Sequence, residues 1–440
     1  MTIFENLRII HFYPGSVSEP CDLAVEGGKI LAVGKALAAK YPQAERDASG
    51  GYVSPGLVCS HNHFYSALSR GLMVNLKPSK DFAQQLVNLW WRLDRALDEG
   101  ITRSSGLVGA AEAVMGGVTS VVDHHASPAF IDGSLDVLKE GFETVGLRGI
   151  LCYEATDRNG VEGAASGVRE NIRFAKAVDT AKARGEDPLV EAAIGAHAPF
   201  TLNDKTLADL AAACTTTGRG LHIHVAEDKF DAVDSRYRFG KDIAVRLDGA
   251  GLLGPKTILG HGLYLSRDEV DIVNERDCFL AHNARSNMNN NVGYNDQLPL
   301  YRNAVLGTDG IGSDMVVEAT FAFFKHHDAG GSLWMDAFLK MLQDGNRLLE
   351  RYFPGKKFGR VEAGYEADLV FWDYDPPTPF LGDNVAGHVA FGLSSRMVKS
   401  TMVGGKFTVK DRIPQFDAQA IMAGARTETK QLWKNMEAIV

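Results

Sequence analysis

The chain has 440 residues, 45% hydrophobic and 23% charged, with a formal net charge of -9. That balance is ordinary for a globular protein with a sizeable core and excludes disordered, collagen-like and low-complexity architectures. Lys and Arg total 46 against 55 for Asp and Glu, and no basic run could follow a phosphate backbone, so a nucleic-acid polymer is not an expected partner.

Residues 1–55 alternate short apolar runs with Gly and Pro, as in LRIIHF, DLAVEGGKILAVG and GGYVSPG, a rhythm of strands and hairpins. From 58 to 306 the unit becomes a short apolar run followed by an Ala-rich helical stretch of mixed charge. Eight candidate strands follow in order: LVCSHNH, VTSVVDHH, LRGILCYE, LVEAAIGAHA, GLHIHVA, KTILGHG, DCFLAHN and AVLGTD. Strands alternating with helices argue for a parallel sheet, and eight of them argue for closure into a (β/α)8 barrel, an α/β fold. The longer gap after the first strand holds KDFAQQLVNLWWRLDRALDEG. The β rhythm returns in EAGYEADLVFWDYD, SSRMVKSTMVGG and KFTVKDR before a last helical stretch over 417–439. The expected division is therefore a barrel at 56–358, with 1–55 and 359–440 pairing as one small discontinuous β-sandwich that also carries the C-terminal helix.

Cys21, Cys59, Cys152, Cys214 and Cys278 are scattered and form no CxxC pair, so neither a disulfide framework nor a thiolate zinc site is expected, and a reducing compartment fits. The start of the chain has no basic stretch leading into a long apolar one, and no segment reaches the ~18 uninterrupted apolar residues of a membrane span. A cytoplasmic protein with no membrane partner is expected.

A parallel barrel places its chemistry at the C-terminal ends of its strands, and most of these strands end in His or Asp. His61 and His63 are two apart on the first strand, so both face the barrel axis; His222 and His224 repeat the relation on the fifth. His261 ends the sixth strand and Asp309 the eighth. Imidazole is the commonest ligand for divalent transition metals, and His61, His63, His224 and Asp309 together could supply a catalytic site. An isolated HxH is as readily a packed pair, but four compatible strand ends are hard to assign to coincidence. Glu227, three residues after His224, could take a proton from an activated water and deliver it to substrate; a solvated loop carboxylate is the bland alternative.

These segments carry a resemblance. SPGLVCSHNHFYSALSRG, GAHAPFT, LHIHVAE, HNARSN and LGTDGIGSD resemble the successive signatures of the amidohydrolase superfamily, in the branch of guanine, cytosine and triazine aminohydrolases. NLWWRLDRALDE, DHHASP, HNARSNMNNNVGYN and FAFFKHHDAGG are similar, more narrowly, to the SsnA-type aminohydrolases, a group associated with selenium-dependent purine metabolism. The resemblance implies His61, His63, His224 and Asp309 as metal ligands, Glu227 as proton shuttle, and His261 as contact to the hydrolytic water or substrate oxygen. It implies His197 as a substrate contact, standing where two-metal relatives carry a lysine, hence one divalent ion, zinc or iron, with zinc first. A homodimer is implied too. The insertion FAQQLVNLWWRLD departs from the guanine deaminase pattern, which leaves guanine in doubt as substrate.

Trp90 and Trp91 are adjacent in a predicted helix and point about 100° apart, so one is expected to face the pocket and stack on a planar ring, unless it only packs. Arg158 could meet a substrate carbonyl or anion, with a surface ion pair as the alternative. His124 and His125 could line the mouth, whereas His222 lies one layer deeper and reads as a packed residue. The NMNNN run after Ser286 could read ring edges or form a turn. P-loop, nucleophile-elbow, HExxH and cytidine-deaminase motifs are all missing. The expected function is metal-dependent hydrolytic deamination of a small, purine-like nitrogen heterocycle by Glu227, His261 and Asp309. Hydrolysis of a cyclic amide on the same site, or a non-catalytic ligand-binding role in selenium metabolism, stays open beside it.

Overall fold

In a computed structural model, which describes residues 1–48 and 50–439, the eight candidate runs form parallel strands. They are β1 (Leu57–Asn62), β2 (Val118–His125), β3 (Arg148–Tyr153), β4 in two pieces (Val190–Ala192 and Ile194–Ala196), β5 (Leu221–Val225), β6 (Ile258–His261), β7 (Phe279–His282) and β8 (Ala304–Leu306). Every residue of β1, β2 and β3 is buried, as expected for strands covered on both faces, which explains why they read as continuous apolar runs. One arc joins β1, β2, β3 and the first piece of β4; the second piece of β4 continues through β5, β6 and β7 to β8. The arcs meet at two seams, Ala155 bridging Ala196 and Asn62 bridging Asp309, which makes the (β/α)8 barrel. At the second seam the Thr308 and Asp309 amides donate to the His61 carbonyl at 2.9 and 3.0 Å, tying the end of β8 to β1. At the first, a Cβ on Gly195 would lie 2.3 Å from the Tyr153 carbonyl oxygen, so only glycine allows that approach.

The N-terminal end of the barrel is plugged. Val58, Ile150, Ile258, Phe279 and Val305 pack together with Leu348, Leu349 and Phe353 at the end of the helix Met335–Tyr352 and just beyond it. Any cavity must therefore open at the other end, where the polar strand ends lie.

Both chain ends contribute to one hydrogen-bonded ten-stranded sheet. The strand Gly51–Pro55 runs antiparallel to Leu369–Trp372, from Tyr52 opposite Trp372 to Pro55 opposite Leu369. Alternate residues of these strands, among them Phe4, Leu23, Val53, Leu369 and Phe371, make a core separate from the barrel's. The buried Arg148 at the start of β3 reaches Asp368 at 2.8 Å and fastens sheet to barrel. The C-terminal helix, Ala418–Ala438, packs instead on the barrel helix Glu99–Met115. Arg92 Nε donates to the Met436 carbonyl (2.6 Å) and Asn435 Nδ2 to that of Ala96 (2.9 Å), so the last helix braces the segment inserted after β1. Among the described residues, no helix is long and apolar enough to cross a membrane.

Candidate active site

The strand ends bring His61, His63, His224 and Asp309 together, with one ligand atom of each lying within 4.8 Å of the others. Their orientation follows from what stands behind them. His63 Nδ1 lies 2.6 Å from the His124 carbonyl oxygen and His224 Nδ1 lies 2.8 Å from that of His197. A carbonyl only accepts, so each Nδ1 carries the proton and each Nε2 a lone pair. Those two Nε2 atoms face one another at 3.0 Å, the buried Nε2 of His61 has no hydrogen-bond partner, and Asp309 Oδ1 lies 2.8 Å from His63 Nε2. Burial opposes a charge here, lowering His61 to about 3 and His224 well below its ordinary value, while Asp309 and Glu154 push His63 up to about 9, so the nearby carboxylates are what offset the cost of a cation. Converging lone pairs and a carboxylate fit a divalent metal.

His61 is braced from below. Its Nδ1 is 2.8 Å from His222 Nε2, and His222 Nδ1 is 3.7 Å from Cys152 Sγ. His222 is thus the deeper, packed residue its position in HIH suggests. Between the two histidines of β1, the Asn62 side chain turns outward and donates to Thr308 Oγ1 at 2.6 Å. A Cβ on Gly307 would lie 2.7 Å from His61 Cβ, so glycine is needed where β8 passes that ring.

Ala226, His261 and Asp309 all have left-handed backbone, at φ 47°, 70° and 52°, uncommon for residues with a Cβ and concentrated here at strand ends. Asp231 Oδ2 accepts from the Ala226 amide at 2.7 Å, fixing the turn that presents Glu227. Glu227 lies 3.6 Å from His261 Nε2 and accepts from Asn290 Nδ2 at 3.2 Å. Burial, with Asp309 nearby, raises its carboxyl to about 7 against the pull of His261, an apt value for moving protons near neutral pH. His261 in turn directs Nδ1 at Asn287 Oδ1 (2.8 Å) and leaves a buried Nε2 without a partner. Ser286 donates to Asp309 Oδ2.

These groups form the inner end of a cavity of about 270 Å³, whose outer wall is aromatic. His197 lines it, 3.7 Å from Glu154 and held by Thr201 at 3.0 Å. Trp90 and Trp91 both line it, contrary to the expectation that one would turn away. The two lie at the junction of a π-helical turn, Leu86–Trp90, with the helix Trp91–Arg95 that follows the helix Phe82–Gln85. Arg158 does not line the cavity: its guanidinium lies 2.8 Å from Asp94 and 3.5 Å from Glu154, stacked 4.6 Å from the Trp91 ring. His124 and His125 are fully buried away from the mouth, His124 near the His222 carbonyl (3.1 Å) and His125 on Ser127 (2.8 Å). Of the NMNNN run, Asn289 and Asn290 line the cavity.

Glu154 and Asp94 are among the cavity residues that the sequence alone did not single out. Glu154 follows β3 directly, so the strand-end rule applied to His and Asp could have found it. Burial alone would raise its carboxyl, but His197, His124 and Arg158 hold it down at about 2. Asp94 sits in the inserted helix, where nothing in the sequence distinguishes it from a solvated acid; it is buried, and burial raises it to about 6.

The Amidohydrolase family profile matches residues 52–408. The chain belongs to the amidohydrolase family. This amidohydrolase is 30% identical over 423 residues to a 5-methylthioadenosine/S-adenosylhomocysteine deaminase of Thermococcus onnurineus, covering 93% of this chain and 92% of that protein. It is 26% identical over 388 residues to a 5'-deoxyadenosine deaminase of Methanopyrus kandleri, covering 86% of each. Among solved structures, an adenosine deaminase from Xanthomonas campestris with bound zinc superposes with a TM-score of 0.82 at 23% identity, over 98% of both chains. Atrazine chlorohydrolase from Arthrobacter aurescens complexed with zinc gives 0.81 at 21%, over 98% of this chain and all of that one. At these identities the structural likeness establishes the fold.

Proposed function

We propose that this amidohydrolase is a hydrolytic deaminase of a small purine-like heterocycle, with one zinc ion held by His61, His63, His224 and Asp309. The observation that carries the reading is the placement of Glu227 and His261 beside that ligand set at the closed end of an aromatic cavity. The deaminase names of the curated relatives support the choice of reaction. When bound, the cation supplies a Lewis acid that makes water nucleophilic near neutral pH. Glu227 takes the proton of the attacking water and delivers it to a ring nitrogen beside the amine-bearing carbon. His261, its Nδ1 held by Asn287 Oδ1 and its Nε2 directed at the same space, donates from Nε2 to the oxygen as an imidazolium while charge develops there. Asp309, 4.0 Å from His261, passes a proton to the leaving amine, and the products are a keto heterocycle and ammonia. Trp90 and His197 hold the ring against the inner end.

In this reading the chemistry belongs to 56–358 and the flanking segments 1–55 and 359–440 are structural. The enzyme works in the cytoplasm, as a homodimer, on a free small molecule. The test is an ammonia-release screen over purines, adenosine analogues, pterins, pyrimidines and triazines, with metal content measured on the same preparation and products weighed by mass spectrometry. Ammonia with an intact ring supports the proposal. Ring-opened products favour the cyclic amide hydrolase, and tight binding with no turnover favours a binding protein.

A further inference from the structure

The outer cavity is built almost without positive charge. Among the described residues no Lys or Arg lines it, whereas Asp94, Glu154, Asp228 and Asp231 do, beside Phe82, Phe200 and Phe230. The nearest guanidiniums are already engaged. Arg158 is held by Asp94 and Glu154 and stacked on Trp91; Arg238 and Arg246 donate to the carbonyls of Phe200 and Pro199, behind the wall. One of the acids also leaves an acceptor unmet: Oδ1 of Asp94 is buried with no hydrogen-bond partner, in a side chain that lines the cavity. An unmet buried acceptor is costly and is relieved by a ligand that brings a donor, such as a hydroxyl, an amine or an ammonium. A phosphate or carboxylate could meet the unmet donor Trp91 Nε1, but it would bring no donor to Asp94, lose its water against aromatic walls and find no cation to replace it.

We propose that this cavity selects by charge, accepting neutral or cationic heterocycles and rejecting those that carry a phosphate or carboxylate, with Asp94 enforcing the choice by keeping Arg158 neutralised. The proposal rests on the deaminase reading for its choice of probes. A relative is named for both 5-methylthioadenosine, which is uncharged, and S-adenosylhomocysteine, whose tail carries a carboxylate; for this chain the charge rule admits the first and rejects the second. The selection is a built-in repulsion as much as an attraction: freeing Arg158 would supply the missing cation without adding a residue.

The test uses the metal-loaded full-length protein and three probes differing at one position: 5'-amino-5'-deoxyadenosine, 5'-deoxyadenosine and adenosine 5'-monophosphate. Ammonia release gives kcat/KM, and calorimetry on the Glu227→Gln protein gives binding. The cationic and neutral probes are expected to exceed the phosphate by about 100-fold or more. In Asp94→Asn that ratio should narrow by about tenfold or more, whatever happens to absolute rates, because Arg158 can then turn to the phosphate. Val87→Arg, which sets a guanidinium at a half-exposed position on the rim, should narrow it too, and it keeps the test open if Asp94→Asn does not fold. Phosphate turnover within about threefold of the neutral probe overturns the proposal while the deaminase reading stands. A charge-ranked set of affinities with no ammonia leaves the proposal standing and removes the deaminase reading. Absence of both binding and turnover removes both, and an unchanged ratio in the folded variants removes the role of Asp94.

Discussion

On the inner side of the cavity each histidine has a partner behind it: His61 on His222, His63 on the His124 carbonyl, His224 on the His197 carbonyl and His261 on Asn287. On the outer side Asp94 and Trp91 each leave a buried polar atom without a partner. The inner geometry is fixed by the chain itself, through tautomers set by backbone carbonyls and strand ends joined across a seam. The outer wall, carried on an inserted helix with a π turn and on loops, has valences that a ligand must meet. Reaction type is thus written into one side and selectivity into the other.

If the inner side is a metal centre, removing a ligand should have the largest effect. His61→Ala should lower metal affinity by more than about 100-fold, beyond the loss from an outer partner, and abolish ammonia release; elemental analysis after dialysis against a mild chelator reads the first. Glu227→Gln should retain full metal and lower kcat by a factor on the order of 100 to 10,000, since only proton transfer is removed. Near-normal turnover there would move the proton chemistry elsewhere. His222→Ala should weaken metal binding by about 10- to 100-fold by releasing His61 Nδ1, with a smaller loss in His222→Gln, which can still accept. Equal affinities for these two variants and wild type would mean that the bracing of the inner side is ornamental.

The smallest expected effect lies where the sides meet, at Asp231. Burial raises its carboxyl to about 7, so the folded state holds a proton that the unfolded chain gives up near pH 4. The stabilisation from that protonated form is fully present below about pH 4 and is lost as pH rises through 7. Asn keeps an acceptor for the Ala226 amide and never ionises. Asp231→Asn should therefore gain in melting temperature over wild type, by a few degrees, as pH is raised from 5 to 8. A difference that stays constant with pH would contradict a buried, protonated Asp231.

The candidate ligand set was legible because two simple rules bring it together: alternate residues of a strand share a face, and a parallel barrel exposes one end. Those rules place His61, His63, His224, His261 and Asp309 without any contact information. The outer side was harder. Helical spacing predicts that one of Trp90 and Trp91 faces the cavity, whereas both line it. Arg158 stands open in the sequence between a substrate contact and an ion pair, because the partner that decides for the ion pair, Asp94, is 64 positions away in the chain. His124 and His125 stand at a strand end as the inner residues do, yet on β2 they are buried outside the cavity lining. Glu154 needed only the rule already in use, extended from His and Asp to Glu.

Deamination by attack of water is tested most directly with the metal-loaded protein and 5'-deoxyadenosine in oxygen-18-labelled water. One labelled oxygen should appear on the carbon that lost its nitrogen, with one ammonia released per product and the ring intact. Release of ammonia without label in the product, or label in a ring-opened product, would contradict it.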